Sequence, residues 1–432
     1  MTDRTVFAQP INRRRFLGGT AATAAALSLG ISKSWAQSGD KLKFWDMVWG
    51  TGQTYSSAAK GIADKYTPAS GLLSVDYQSI PWANWYQTFT AAGAANSTPA
   101  VSSGAAYLPF YFMDQGKMAP ADDLLATLDK TGKNDFLPGL VDALRTKDGL
   151  AAVPWSIDLR ILWYRKSILE KAGADVPTDW QSYIKAGEAL QKAGHVGFAI
   201  AGNDFHSVAS ILLNNGGGLF NEDGQPDCVN DRNIEALDFL AELAAKQIID
   251  PYAIGYDYTQ NVTPDWASGH IAMGFEQVGL PGHMPSDVAS DLVVASPMAS
   301  GRGDKGAAYW INPLMMFKTT PSQASSEAFL AYYLDNLHLF WEQGLDADLP
   351  VKKSITSLPM FQKDPNLSKA VNEWQPVGKT IAAHSKYPFA ALNAVDGGSA
   401  MIIMLQELLQ GARKSKDLLA ELQTGLEKVM KA

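Results

Sequence analysis

One cysteine, Cys228, is all that the 432-residue chain contains. A single thiol makes no internal disulfide and no cysteine-based metal cluster. No histidine lies near it in sequence, so it reads as a small residue beside a loop rather than as a reactive thiol. The six histidines (His195, His206, His270, His283, His338, His384) are scattered, without the helical i, i+4 pair and intervening glutamate that zinc hydrolases use. There is no Gly-x-Ser-x-Gly, hence no nucleophile elbow, and no P-loop. Gly301 to Gly306 does match Gly-x-Gly-x-x-Gly, but Tyr309-Trp310-Ile311 follows as a strand where a dinucleotide site needs a helix. Arg302-Gly303-Asp304 is three residues long and carries too little information to act on. Carboxylates are plentiful, but none is singled out by spacing, so a glycosidase pair is not excluded on this ground. No cofactor motif is present.

Charge of positive sign is also scarce. The chain has 36 Lys and Arg against 44 Asp and Glu, a net of −8. Residues 1–36 hold five of the bases and one acid, which leaves 31 basic and 43 acidic side chains after them, a net of −12. An acidic chain without a basic stripe is a poor partner for nucleic acid or anionic membranes. Long apolar runs are missing too. The stretch Gly18–Ile31 is about 14 residues, short of the ~20 that span a bilayer. It follows Asn12-Arg13-Arg14-Arg15-Phe16-Leu17 and precedes Ser34-Trp35-Ala36, an A-x-A-like cleavage site. The order is that of a twin-arginine-type signal peptide covering residues 1–36 and cleaved near Ala36. No cysteine follows for a lipid anchor, so the expected location is the periplasm. In that setting Asn96-Ser97-Thr98 is not taken as a glycosylation acceptor.

What the chain has is a globular composition, 46% hydrophobic and 19% charged, with alternating strand and helix signals. Leu42–Trp49 and Leu72–Tyr77 read as strands, Ser56–Tyr66 and Trp82–Ala95 as helices. Ile157–Tyr164 is a strand with two charges inside it. Thr178-Asp179-Trp180-Gln181 reads as a capping box with Thr178 at the N-cap of a helix ending at Gly194. Ile234–Ala245 is an amphipathic helix; Ala272–Phe275 and Leu292–Val294 are short strands. Ser300–Gly306 is a linker, Pro321–Trp341 one long helix, and Ser399–Gln410 and Ser415–Met430 close the chain as helices. Strand–helix alternation implies a largely parallel sheet covered by helices.

The richest feature is aromatic. There are 12 Trp and 15 Tyr, and Trp49, Trp82, Trp85, Tyr107, Trp155, Trp310, Trp374 and Tyr387 lie beside loops. Flat aromatic faces stack on the C–H faces of sugar rings, while neighbouring Asp, Asn, Gln and Arg bond the hydroxyls. Any one tryptophan serves core packing equally well. Clustering at strand ends favours a ligand, because α/β sheets bind beyond the carboxyl ends of their strands.

Several segments, in order, resemble the bacterial extracellular solute-binding proteins of ABC transporters, the sugar-binding group similar to maltose-binding protein. They are Val153-Pro154-Trp155, Leu162 to Gly173 with Val176-Pro177-Thr178-Asp179-Trp180, Leu219 to Gly224, and Gly269-His270-Ile271-Ala272-Met273. Asn96-Ser97-Thr98-Pro99-Ala100-Val101 departs from the family's Gly-x-x-Pro-Asp-Val by lacking the Asp. The resemblance implies an α/β, two-lobed periplasmic binding protein fold (type II) with a hinge of crossing strands and an interlobe ligand cleft. It places one lobe at 37–153 with 304–348 and the other at 154–303 with 349–432. Crossings fall near Val153–Ser156, Pro297–Gly306 and Leu345–Val351. It implies a non-catalytic monomer that closes on a carbohydrate and docks on the transmembrane permease subunits of an ABC importer. By segment, it implies ligand-binding roles for Trp49, Thr51, Gln53, Trp82, Tyr107, Asp158, Arg160, Phe205, His206, Glu276, Gln277, Gly279, Trp310, Asn312, Lys353 and Asn393. For Asp158 and Arg160 a hinge ion pair is an equal alternative. Two further functions stay open. An anionic solute (a sugar phosphate, sulfonated sugar or amino-acid derivative) would draw on Arg160, Arg302 and Lys352-Lys353. An exported hydrolase would carry two carboxylates or a metal in the cleft.

Overall fold

The computed structural model describes residues 41–50, 52–345, 348–411 and 413–431. The signal segment and Thr51 lie outside the described residues. Residues Leu42 to Ala432 pack as one unit.

Its backbone is a set of strands in which two are long. β1 (Lys41–Met47), β2 (Ser74–Ile80) and β3 (Val101–Ser103) alternate with helices Gly52–Asp64 and Trp85–Ala94. β1 and β3 are parallel, with Phe44 opposite Val101. From Phe44 onward in β1 and throughout β3 the side chains are buried on both faces, as strands covered by helices require. The small hairpin β4 (Arg145–Thr146) and β5 (Gly149–Leu150) leads into β6 (Val153–Arg165), 13 residues without a break. β7 (Met273–Gln277), β8 (Leu292–Val294) and β9 (Ala307–Met316) follow, then β10 (Leu349–Pro350) and β11 (Gly378–Lys379).

The main sheet runs β10-β6-β9-β3-β1-β2. β6 changes partners partway along. Val153 to Leu159 pair with β9, antiparallel, and Arg160 to Arg165 pair with β7 and β8. β9 does the same, pairing β11 at Ala307 and Ala308, β6 in its middle and β3 at its end. Two long strands therefore tie two groups of strands together. The expected strand over Ile157–Tyr164 is the later part of a longer one, which begins at Val153 because buried Val153 and Trp155 continue it toward the N-terminus.

Four local expectations change. Ser300–Gly306 is a tight turn, not an open linker: Ser300 N donates to the Asp304 carbonyl and Gly303 sits at φ 85°. The N-cap of helix Trp180–Lys192 is Asp179, not Thr178. Its carboxylate accepts from Ser182 N at 2.7 Å, and Ser182 Oγ accepts from Asp179 N at 3.0 Å. The carboxylate one residue along is the better acceptor for the orphan N–H groups. The long helix expected over Pro321–Trp341 is two, Gln323–Asn336 and His338–Glu342. The Asn336 side-chain amide takes the Tyr332 carbonyl at 2.8 Å, competing with the main-chain ladder there. β2 starts two residues later than the alternation suggested. Gly194 ends its helix at φ 87°, as a residue without Cβ can.

Candidate functional site

The carboxyl ends of β1, β2 and β3 lie side by side, and each is followed by residues facing one cavity of about 560 Å³. Trp49 follows β1, Trp82 and Trp85 follow β2, and Ala105 and Ala106 follow β3. These residues form one wall. Trp49 meets Trp82 edge-to-face at 4.9 Å and 87°, and Trp82 meets Trp85 at 6.1 Å and 77°. Trp155, fully buried on β6, backs Trp49 at 5.4 Å. The Trp82 indole N–H donates to the Val48 carbonyl at 2.8 Å, which fixes a ring that is 41% exposed.

The opposite side is polar. Asp158 on β6 is the cross-strand partner of Trp310 on β9. Trp310 Nε1 donates to Asp396 Oδ1 at 2.7 Å, and the His206 ring packs on Trp310 edge-to-face at 4.3 Å. Asn203, Asp204 and Phe205 come from the loop before helix His206–Asn214. Gln277 ends β7. Gly397, Gly398 and Ile402 complete the lining after helix Leu392–Asp396. A Cβ at Gly398 would stand 2.4 Å from the Ala394 carbonyl, so the turn holding Asp396 requires glycine. Asn312 Nδ2 donates to Ser156 Oγ at 2.8 Å and to Asp348 Oδ2 at 2.6 Å, joining β6, β9 and the segment before β10.

Electrostatically the lining is acidic. Asp158, Asp204, Asp348 and Asp396 face the cavity, and its described lining holds no Lys or Arg. Removal from water pushes the Asp396 carboxyl up to about 6, despite the bond from Trp310. Burial also acts to raise Asp204, but His206 and Arg160 outweigh it and hold that carboxyl well below its usual range.

Beneath the cavity floor lies a buried charge cluster. Arg160, 5% exposed, donates to Asp158 Oδ2 at 2.6 Å and lies 3.9 Å from Glu276. Burial opposes the Arg160 charge, yet Asp158, Tyr258 and Asp204 more than offset it, and its pKa is raised. Glu276 accepts from the Tyr258 hydroxyl and from Trp266 Nε1 at 3.1 Å. Burial pushes its carboxyl up to about 7, with Arg160 opposing.

Of the residues singled out in sequence, Trp49, Trp82, Asp158, Phe205, His206, Gln277, Trp310 and Asn312 line the cavity. Thr51 lies outside the described residues. Arg160 and Glu276 sit under the floor. Gln53 is exposed at the start of helix Gly52–Asp64, and Lys353 is exposed on helix Lys353–Thr356. Gly279 caps the short turn Leu280–His283. Tyr107 is buried, its hydroxyl accepting from Ile381 N at 3.3 Å, and Asn393 is buried in helix Leu392–Asp396. Arg160, Glu276, Gln53, Lys353, Gly279, Tyr107 and Asn393 are not among the residues lining the cavity. Trp85, Asn203, Asp204, Asp348 and Asp396 do, without having been chosen. Trp85 carried a signal, as an aromatic at a strand end; the three aspartates carried none beyond being acids.

Comparison with known proteins gives a consistent result. The model of the family described as bacterial extracellular solute-binding protein matches residues 49–336. A crystal structure of a sugar transporter from Arthrobacter chlorophenolicus A6, with bound laminaribiose, is 44% identical to this chain. It superposes with a TM-score of 0.82 over 91% of this chain and 100% of that one. An arabinooligosaccharide-binding protein of Halalkalibacterium halodurans is 23% identical over 54% of this chain and 56% of its own length. A lactose-binding protein of Rhizobium radiobacter is 24% identical over 52% and 54%. The chain thus spans a little over half the length of those two curated relatives. With the matched family model and the shared two-lobed type II binding-protein fold, this chain belongs to the bacterial extracellular solute-binding proteins.

Proposed function

We propose that the chain is the substrate-binding receptor of an ABC importer and that it captures a neutral carbohydrate of about disaccharide size. The observation that carries this is the cavity itself, with tryptophan rings on one side and carboxylates and amides on the other. Its volume falls in the range of about 300–1,000 Å³ usual for small-molecule sites. Sugar rings present C–H faces to Trp49, Trp82, Trp85 and Trp310, and their hydroxyls donate to Asp158, Asp204, Asp348 and Asp396. Laminaribiose, bound by the 44% identical transporter protein, is the first candidate.

The same lining speaks against an anionic solute. Arg160 is committed to Asp158, Arg302 is paired with Glu235 at 2.7 Å, and Lys352 is paired with Asp135 at 3.1 Å. The described lining holds no Lys or Arg for a phosphate or sulfonate, its His206 is paired with Asp204, and four carboxylates would repel an anion.

The lobes of this reading are residues 37–153 with 304–348 and residues 154–303 with 349–432, and β6 and β9, each of which exchanges partners along its length, run between them. A ligand touching both lobes makes the closed arrangement more stable, a shift by differential affinity. The closed monomer docks on permease subunits. The leader of residues 1–36 directs twin-arginine export to the periplasm with cleavage near Ala36, and among the described residues no helix is long and apolar enough to cross a membrane.

Calorimetric titration of residues 37–432 with laminaribiose, lactose, glucose 6-phosphate and glutamate tests the proposal. Binding of a neutral disaccharide, recovered unchanged after hours, supports it. Preference for the phosphate, or release of monosaccharide, sinks it.

A further inference from the structure

Asp46 is a carboxylate where the fold alone gives no reason for one. It is the next-to-last residue of β1, between Trp45 and Met47, and is 1% exposed. Burying such a group is unfavourable unless its hydrogen bonds are made. Its Oδ1 accepts from Ser103 Oγ at 2.7 Å, and its Oδ2 lies 3.3 Å from the Tyr77 hydroxyl. Ser103, the last residue of β3, is also 1% exposed. Two N–H groups point at its oxygen: Met47 N at 2.8 Å and Trp49 Nε1 at 3.1 Å.

The hydrogen-bond inventory of a hydroxyl fixes the direction of this chain. A serine oxygen has two lone pairs and one proton. Main-chain and indole N–H groups can only donate, so together they fill both lone pairs. The Ser103 proton must then leave toward an acceptor, and Asp46 Oδ1 is the acceptor at 2.7 Å. Without that acceptor the Ser103 proton would be left unsatisfied in the core, and nothing would keep the hydroxyl turned with both lone pairs toward the two N–H groups. The main-chain donor is held by β1; the indole is the freer of the two. Trp49 is also the ring on which the wall is built, wedged between Trp82 and Trp155.

We propose that Asp46 and Ser103 are positioning residues for the cleft: from the buried core they set the plane of the Trp49 indole before any ligand arrives. This rests on the sugar-receptor reading only for its effect on affinity. A ring already held loses less freedom on binding, and affinity gains accordingly.

The test uses residues 37–432 with Ser103→Ala, Asp46→Asn, Trp49→Phe and the Ser103→Ala/Trp49→Phe double variant. The Trp49 indole cross-peak in a proton–nitrogen correlation spectrum is the one missing from Trp49→Phe. In ligand-free Ser103→Ala that peak is expected to move upfield and its proton to exchange faster with water. Laminaribiose affinity is expected to fall about tenfold in Ser103→Ala, the loss of one hydrogen bond. In the Trp49→Phe background, which has no indole N–H, Ser103→Ala is expected to change affinity less than twofold. An unmoved indole peak in Ser103→Ala overturns the proposal, as does an equal loss of affinity in both backgrounds, which would mark a merely structural role. Asp46→Asn is read on the same peak. If that variant fails to fold, the Ser103 cycle still decides. Wild-type protein that binds no sugar while the indole peak shifts in Ser103→Ala overturns the receptor reading and leaves the positioning role standing.

Discussion

The two sides of the cleft are built by different rules. The aromatic wall comes from consecutive βα units, in which Trp49, Trp82 and Trp85 each follow the strand just completed. Its rings are held from the end of another strand of the same group, Val48 just past β1 for Trp82 and Ser103 at the end of β3 for Trp49. The polar side is assembled from Asp158, Asp204, Gln277, Trp310, Asp348 and Asp396, which span most of the chain. It is held by side chain to side chain bonds across elements, such as Trp310 to Asp396 and Asn312 to Asp348. A wall supplies apolar contact that tolerates different rings, whereas directed acceptors choose among hydroxyl patterns. Affinity should therefore be shared between the sides, and selectivity concentrated on the polar one.

The sharpest way to break that contrast is Trp310→Ala. Trp310 stands on the polar side yet also offers a ring, and it is the partner of Asp396 and His206. Its loss is expected to weaken laminaribiose binding on the order of 100-fold by calorimetry, the scale of a central aromatic anchor. Trp82→Ala removes a more exposed ring of the wall and is expected to cost about tenfold, with the ranking of sugars unchanged. A changed ranking would place selectivity on the wall instead.

Asp396→Asn keeps shape and an acceptor for Trp310 and is expected to lower affinity about threefold to tenfold at pH 7.5. Because removal from water puts the Asp396 carboxyl at about 6, wild-type affinity is expected to decline as pH falls through 6. The Asn variant should show a flatter profile over the same range.

Stability gives a smaller contrast. Burial puts Asp46 under the wall and Glu276 under the polar floor both at about 7, above their ordinary 3.8 and 4.5. Each binds more protons folded than unfolded between about pH 4 and 7, so each makes the melting temperature fall as pH rises through that window and level off above it. Asp204, held low, acts the other way, losing its contribution only as pH drops below about 4. Asp46→Asn is expected to lessen the decline between pH 5 and 7. An unchanged slope would mean that Asp46 does not titrate there. The smallest effect is expected for Arg302→Ala, less than twofold on any ligand, since that surface arginine pairs with Glu235 outside the cleft.

The elements were legible in the sequence because their causes are local. Apolar runs marked β1 and most of β6, alternation marked β2, and the apolar stripe with its glycine stop marked helix Trp180–Lys192. Misplaced ends such as the N-cap at Asp179 were set by which of two neighbouring side chains reached the free N–H groups. Much of the aromatic wall was legible too, since a tryptophan just past a strand stands where α/β sheets bind.

The sequence by itself determined the family and its chain of strands and helices, since hydrophobic periodicity and end signals act over a few residues. Only the tertiary structure decided which polar residues meet. Glu276 and Gln277 are neighbours on β7, yet consecutive strand residues point to opposite faces, so Gln277 lines the cavity and Glu276 turns to Tyr258 and Trp266. Asp204, Asp348 and Asp396 are three acids among 44, distinguished only when the return of β9 and the closing helices bring them to one cavity. A carboxylate at the surface and one in a cleft have the same local sequence signature; what separates them is burial, which the packing of distant segments creates.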